Sequence, residues 1–173
     1  MKKIDLDQLG KYVDAVNDIG SKWMLVTSKA DGKVNTLTAS WGGLGFLWRK
    51  KVAFIFIRPS RYTNQFIEKS GRFTLTFFDG CKDEMGYLGR TSGRDVPDKI
   101  SMAGLTTIEV DGQPTFEEGR LVLLCRCLYA APFERDNFIE KEIDDTLNPN
   151  GDRSIMYIAE IESGYEFEES VLS

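Results

Sequence analysis

The chain has 173 residues, 42% hydrophobic and 12% aromatic, enough for one folded domain with a real core and too apolar for wholesale disorder. Its formal net charge is -5 and its sequence pI about 4.9, which removes the positive charge on which non-specific nucleic-acid binding rests. It contains no histidine, which excludes Ser-His-Asp and Cys-His catalysis, histidine-ligated metals and imidazole acid–base chemistry. Any reaction here therefore calls for a bound cofactor to carry the reactive atoms.

The stretch Met1-Lys2-Lys3-Ile4-Asp5 has charge but no apolar h-region, and no apolar run reaches spanning length. The expectation is a cytoplasmic protein with no signal peptide and no membrane partner. Leu6, Leu9, Val13 and Val16 recur at helical spacing and predict one amphipathic helix over residues 5–19, capped by Asp5 and stopped at Gly20. Lys22–Ser28 reads as a strand, and Asp31-Gly32 as the hairpin turn that follows it. From Val34 to Trp41, hydroxyl side chains (Thr36, Thr38, Ser40) alternate with apolar ones (Leu37, Ala39, Trp41), the period of a half-buried strand.

Gly42-Gly43-Leu44-Gly45 either relieves a tight turn or lets backbone amides approach a ligand. No Gly-Lys-Ser/Thr follows, so it is not a P-loop. Val52–Ile57 is apolar on both faces, as in a strand buried on both sides, and stops abruptly at Arg58-Pro59-Ser60-Arg61. Thr63 or Asn64 then caps a short helix that runs to Ser70 with Phe66 and Ile67 inward, ended by Gly71.

Arg72–Phe78 is another alternating strand. From Asp79 to Ala103 the hydrophobic pattern breaks down among Gly80, Gly86, Gly89, Gly93 and Pro97, an excursion long enough to be functional or an interface element. Thr106–Val110, a turn at Asp111-Gly112, Gln113–Phe116 and Leu121–Ala131 resume the β pattern. Phe133–Asp144 reads as an acidic helix, Ile155–Ile161 as a last strand, and Glu166–Glu169 as a solvated end. Several antiparallel strands with only short helices make a small β-barrel with helical decorations, one domain over residues 1–173. Cys81, Cys125 and Cys127 are odd in number with no second pair to complete a zinc site, so they are expected to be reduced thiols, with no metal bound.

Arg58 and Arg61 bracket Pro59-Ser60, with Thr63 at the mouth of a helix. Guanidinium groups, hydroxyls and free helix amides would converge there on one anion, or the two arginines simply stand solvated at a strand end. Likewise Thr38, Ala39 and Ser40 form either a small-residue seat for a flat ligand or a threonine-rich face open to water. Trp41 either walls such a site or belongs to the core.

These segments together, namely Asn35, Thr38-Ala39-Ser40-Trp41-Gly42, Trp48 and Arg58-Pro59-Ser60-Arg61-Tyr62-Thr63, then Thr91-Ser92-Gly93-Arg94-Asp95, Asp98-Lys99 and Gly104-Leu105-Thr106, resemble the flavin reductase-like, FMN-binding split-barrel family in its flavoredoxin-like branch. The resemblance covers residues 20–165. It implies a mainly β fold, an antiparallel Greek-key split barrel with short peripheral helices. It also implies FMN as cofactor and a homodimer with sites at the interface. Electrons would pass from NAD(P)H or a protein donor through FMN to another acceptor.

By the same resemblance, Thr38, Ala39 and Ser40 contact the ring and ribityl chain, and Arg58, Ser60, Arg61 and Thr63 hold the phosphate; Tyr62, like Trp41, either walls the site or packs in the core. Arg94 or Lys99 would place a cation near the ring's N1 and C2=O, stabilising the reduced anion. No catalytic side chain is assigned. The chain departs from the family pattern at Lys51 (commonly proline), Ser154 (histidine in many relatives) and Ala159 (often glycine). The serine removes a nicotinamide-facing or proton-donating group. That favours the alternative of a non-enzymatic FMN carrier or electron-transfer module, and a barrel for another phosphate-bearing ligand is a third class.

Overall fold

The computed structural model describes residues 1–168, through which run the strands β1 (Lys2–Lys3), β2 (Met24–Ala30), β3 (Lys33–Ala39), β4 (Gly42–Leu47), β5 (Lys50–Ile57), β6 (Arg72–Phe77), β7 (Thr107–Val110), β8 (Gln113–Phe116), β9 (Leu121–Pro132) and β10 (Ile155–Glu166). Asp31 and Gly32 take φ of +51° and +72°, the turn whose twist matches the flanking strands, so β2 folds back antiparallel on β3 with Thr27 opposite Thr36. The main sheet runs β3-β2-β6-β9-β10-β5-β4, with β1 pairing the far end of β10 and β7-β8 a separate hairpin.

The two ends of that path, β3 and β4, are neighbours in sequence but do not pair with each other. Leu37 and Ala39 of β3 and Leu44 of β4 nevertheless pack into the same core as Ile55, Phe73, Leu123 and Ala159. The sheet therefore curls around one apolar centre and stays split at Ser40-Trp41. This is the mainly β split barrel expected from the sequence. Buried threonines satisfy one another across strands, Thr27 to Thr36 at 2.8 Å and Thr76 to Thr115 at 2.9 Å, which lets a hydroxyl-rich ribbon enter the core.

The elements differ from expectation where side chains compete with the backbone. Residues 5–19 are not one helix but a 3₁₀ segment (Leu6–Lys11), a single turn α1 (Ala15–Asn17) and a π segment (Asp18–Lys22). Gln8 is non-helical, and the Asp18 carboxylate accepts from the Asp14 amide at 2.9 Å, so a side chain takes a place the helical ladder would fill. The glycines after Trp41 lie in strand β4 rather than in a turn. In β5 the burial alternates toward its end, Phe54 and Phe56 being only half-buried, so this strand has an open outer face.

The glycine-rich excursion contains helices α3 (Lys82–Arg90) and α4 (Lys99–Met102), which follow α2 (Tyr62–Ser70). Met85 and Leu88 of α3 build a second apolar cluster with Leu25, Phe78, Leu105 and Phe116, so this segment is firmly seated. A Cβ at Gly89 would stand 3.2 Å from Thr38 Cβ, and the glycine lets α3 lie directly on β3. The acidic segment expected to be helical over 133–144 instead holds a short 3₁₀ turn (Arg135–Asn137) and α5 (Lys141–Leu147). Of the acidic end expected at Glu166–Glu169, Glu166 closes β10 and Glu169 lies outside the described residues. Among the described residues no helix is long and apolar enough to cross a membrane.

The connection from β9 to β10 is pinned by one carboxylate. Asp144 has a fully buried side chain and accepts from Arg153 twice at 2.7 Å, from Arg135 at 2.9 Å and from Asn148 at 3.0 Å. The Arg153 hydrogen bonds above all hold its carboxyl down at about 2. A carboxyl depressed in the folded state contributes stability above its unfolded value near 4 and loses it as pH falls toward 2. Hydrogen exchange across residues 133–153 should therefore accelerate on acidification through that window while the β2–β3 hairpin stays protected, and Asp144→Asn should show the fast exchange already at pH 7.

Candidate functional site

Two clefts meet where β3, the end of β5 and the mouth of α2 come together. The first, about 180 Å³, is lined by the ribbon Leu37-Thr38-Ala39-Ser40-Trp41 on one side and by Phe56, Ile57, Arg58, Arg61 and Ser154 on the other. The second, about 140 Å³, is bounded by Ser60, Tyr62 and Thr63, by Ser92 and Gly93, and by Lys99. Leu37 and Arg61 line both, so the two clefts are contiguous. Ten of the eleven residues singled out from the sequence line one or the other. Arg94 does not, but its guanidinium lies 5.0 Å from the centre of the Tyr62 ring.

The helix mouth is built for an anion. Helix α2 begins after Arg61, and no side chain caps it, so neither Thr63 nor Asn64 is the cap expected from the sequence. The Asn64 amide closes on the Arg61 carbonyl at 3.0 Å, and the amides of Tyr62 and Thr63 have no partner among the described residues, so they are open to a ligand. Thr63 is instead buried within the first turn, where its hydroxyl accepts from Asn35 Nδ2 at 2.8 Å. A Cβ at Gly93 would fall 2.1 Å from Asn35 Oδ1, so only glycine lets the 92–94 loop close over this corner. Asn35, Thr63 and Gly93 together fix the mouth's shape.

Its charge is one-sided. Lys99 is 2% exposed, and its Nζ donates to the carbonyls of Thr91 at 2.7 Å and Leu88 at 3.2 Å, the C-terminal end of α3. Burial, and then the charge of Arg61, bring its pKa down to about 8. Arg61 is itself lowered by burial and then by Arg58. Among the described residues no carboxylate pairs with either Arg61 or Lys99. Two mutually repelling cations held in one hollow beside open helix amides fit a dianionic phosphate.

The other named groups divide differently. Arg58 donates to the carbonyls of Leu147 at 2.8 Å and Asp152 at 3.1 Å. Ser60 Oγ donates to the Asp152 carboxylate. Both tie the strand end to the β9–β10 connection, which leaves Arg61, of these two arginines, without a protein partner among the described residues. Thr38 Oγ1 donates to the Met85 carbonyl at 2.5 Å, beneath α3, so Thr38 is half-buried under protein, whereas Ser40 is exposed. Trp41 is not in the core: it is half exposed and stands at the rim of the first cleft. Tyr62 packs edge-on against Phe66 at 5.0 Å and presents its face to Arg94. Lys99 sits at the helix mouth and not along the first cleft.

Sequence reasoning did not select Phe56, Ser154 or Asp152. Phe56 was hidden inside a run that read as buried on both faces, and Asp152 in a turn. Ser154 stood out only as a departure. All three cysteines are free; burial pushes Cys125 well up and Cys127 to about 11, so neither is a ready thiolate. Among the described residues no group of three or more histidine, cysteine or carboxylate side chains lies together as a metal site.

Residues 16–169 match the sequence model of the flavin reductase like domain. The chain belongs to the flavin reductase-like family. Similar solved structures include a flavoredoxin from Methanosarcina acetivorans, 19% identical over 84% of this chain and 68% of that one, with a TM-score of 0.66. An FMN-binding domain of a flavin reductases-like enzyme from Shewanella baltica OS155 is 17% identical, covering 95% and 75%, with a TM-score of 0.67. The flavoredoxin of Desulfovibrio vulgaris (Miyazaki F) is 21% identical over 84% and 69%, with a TM-score of 0.64. Among curated proteins no sequence match is found. At these identities the structural likeness speaks for the fold, and the site rests on the geometry above.

The division between the two arginines is measurable without any ligand. Arg58→Ala breaks two charge-assisted bonds to carbonyls and should cost about 1–3 kcal/mol of unfolding free energy. Arg61→Ala removes a cation that faces only other cations and should leave the ligand-free protein as stable or more stable. Urea denaturation of the two variants separates them; a larger loss for Arg61→Ala would mean that its side chain has a structural partner.

Proposed function

We propose that the chain binds FMN, with the phosphate at the helix mouth and the isoalloxazine along the β3 ribbon, and passes electrons from NAD(P)H or a protein donor to another acceptor. The observation that carries this reading is the couple Arg61 and Lys99, which has no carboxylate partner among the described residues, beside the start of α2. Arg61, Lys99, the amides at the start of α2 and the Ser92 hydroxyl would hold the phosphate oxygens. Thr38, Ala39 and Ser40 offer small side chains and backbone groups at the floor of the first cleft, so a flat ring can approach closely. Trp41 and Phe56 provide apolar walls that exclude water. Arg58 and Ser60 act one step back, holding the β9–β10 connection against the cleft. Family membership and the flavoredoxin and FMN-binding neighbours support FMN over other phosphate-bearing ligands.

Bound FMN supplies a ring that accepts a hydride or single electrons and releases them again. The first cleft has no carboxylate, thiol or imidazole among its lining residues, and its only titratable groups are Arg58 and Arg61. The protein's part is therefore to bind, orient and tune rather than to shuttle a proton. That same feature, with Ser154 on the wall, favours a second reading as an FMN carrier or electron-transfer module. Anaerobic mixing of the FMN-loaded protein with NADH and with NADPH decides between them: bleaching at catalytic rates supports a reductase, and its absence supports the carrier.

The assembly we propose is a homodimer. Phe46 and Trp48 stand exposed on the β4–β5 hairpin, and Trp48 meets Tyr129 of β9 edge-on at 6.2 Å, an aromatic surface suited to burial against a second copy. Free thiols fit the reducing cytoplasm.

Arg61→Ala should weaken FMN by about 2–3 kcal/mol, roughly 30- to 150-fold in Kd, with Lys99→Met weaker by a similar order. The pH dependence follows from Lys99. In the free protein it deprotonates near 8, whereas a bound phosphate keeps it charged. Binding above pH 8 therefore takes up a proton, and the Kd should rise with pH toward a limit of about tenfold per unit. In Lys99→Met that slope should vanish. Flavin fluorescence titrations at pH 7 to 9.5 measure both, and an unchanged Kd in Arg61→Ala would remove the phosphate site.

A further inference from the structure

A third hollow, about 260 Å³ and walled by Trp41, Phe56, Phe133 and Phe138, continues the first cleft and belongs to the same trench. A separate hollow of about 470 Å³ lies along the second half of α2 and shares no lining residue with either cleft. Its apolar walls are Pro59 and Ile67, from the end of β5 and from α2, and Cys127, Ala130, Pro132 and Ile155, from β9 and β10. Burial holds the Cys127 thiol up at about 11, so that wall stays uncharged at neutral pH. The volume suits a small organic molecule.

Apart from that thiol, the polar side chains of the lining are Glu68 and Tyr157, with no lysine or arginine beside them. The two are joined through Asn64. The Tyr157 hydroxyl donates to Asn64 Oδ1 at 2.7 Å, and Asn64 Nδ2 donates to Glu68 Oε1 at 3.0 Å. Asn64 and Tyr157 are 3% and 4% exposed, so a buried chain of bonds holds an otherwise exposed carboxylate in place over the hollow. Burial first, and then the Glu68 charge, push the Tyr157 hydroxyl up to about 12, so its proton stays on the bond to Asn64. The direction of the chain decides the chemistry. With its proton spent, the Tyr157 oxygen can only accept, and a carboxylate can only accept. Glu68 makes no ion pair among the described residues, whereas Glu109, Glu160 and Glu162 are all paired with lysine or arginine.

We propose that this hollow binds a small apolar amine in its ammonium form. The cation lies against Glu68 and donates to its second carboxylate oxygen and to the Tyr157 oxygen, while the hydrocarbon part fills the space between Ile67, Cys127 and Ile155. A hollow that offers acceptors without donors, carries one uncompensated negative charge and is otherwise apolar matches such a cation in charge, in hydrogen-bond sense and in surface. An anion would meet the Glu68 carboxylate with no cation to offset it, and a neutral alcohol would forgo the charge attraction. The site is independent of the flavin reading, because none of its residues lines the phosphate mouth or the ring cleft.

The test is isothermal titration of the 173-residue chain at neutral pH with cyclohexylmethylamine and with cyclohexylmethanol, the same hydrocarbon without the charge. The amine should bind more tightly than the alcohol, and added salt should weaken the amine alone. Glu68→Gln keeps an oxygen for Asn64 but removes the charge. It should weaken the amine about fivefold, the upper end for an exposed ion pair, and leave the alcohol within about twofold. Ala130→Phe fills the hollow from an exposed strand position and should weaken both probes. Wild-type protein that binds neither probe, or binds the amine no more tightly than the alcohol, overturns the proposal, and so does amine binding that survives Glu68→Gln unchanged. Amine binding that Ala130→Phe leaves untouched overturns it too, since the cation would then lie elsewhere on an acidic surface. If neither probe binds and Ala130→Lys converts a dimer to monomers, the hollow belongs to a subunit interface and the proposal fails.

Discussion

Two cations that repel each other, Arg61 and Lys99, face one hollow with no carboxylate between them among the described residues. Left to itself such a pair would be lost to solvent or neutralised by a neighbouring aspartate or glutamate, and the chain has 27 of these to offer. What prevents it is the scaffold. Lys99 is clamped by two carbonyls at the end of α3, and α3 is clamped in turn by the cluster around Met85 and Leu88. Arg61 is fixed as the residue from which α2 departs. Apolar burial elsewhere thus maintains an electrostatic arrangement that is unfavourable until an anion arrives, the usual signature of a binding site rather than of a structural ion pair.

The chain's other cations show by contrast what structural pairing looks like here. Arg126 meets Glu160 and Glu162, Arg72 meets Glu162, and Arg135 and Arg153 converge on Asp144. Arg58 belongs with this structural group, because its guanidinium ends on the carbonyls of Leu147 and Asp152. Two arginines three residues apart in one short segment therefore have opposite jobs. Arg58 fastens the β9–β10 connection to the end of β5, and the next turn of chain leaves Arg61 without a partner among the described residues. The fastening also matters to the ring cleft, since Ser154 and the Phe133 segment hang from the same connection.

Much of this was legible in the residues. Alternation in 34–41 and 72–78, the Asp31-Gly32 turn and the Gly71 stop each encode a local geometry that tertiary packing then respects. The charged corner was legible too, because arginines, hydroxyls and a helix start coincide at 58–63. The N-terminal helix was not, since its spacing is apolar and regular while the Asp14 and Asp18 carboxylates take the backbone amides that a continuous helix would need. Helix α3 escaped notice because Gly86 and Gly89 dilute its propensity, and Gly89 serves close contact with β3, which only the third dimension reveals. Periodicity also cannot separate Arg58 from Arg61, since the difference lies in carbonyls some ninety residues away.

The three hollows form one trench whose character changes along its length. At the α2 mouth it is cationic and floored by amides; past Arg61 and Leu37 it becomes a narrow cleft of small hydroxyl and apolar side chains; past Trp41, Phe56 and Ser154 it is aromatic. A polarity gradient of this kind discriminates by matching: an anionic tail fits only the α2 mouth and a flat ring only the part beyond Arg61 and Leu37, so a ligand carrying both lies in one direction. The β3 ribbon spans the first two segments without a break, because a split between β3 and β4 leaves Ser40-Trp41 free to lie along the trench instead of being paired into the sheet. In a closed barrel those two residues would spend their backbone groups on a neighbouring strand. The opening in the sheet and the run of the trench are thus the same structural fact, and the place we propose for the ligand is where the barrel fails to close.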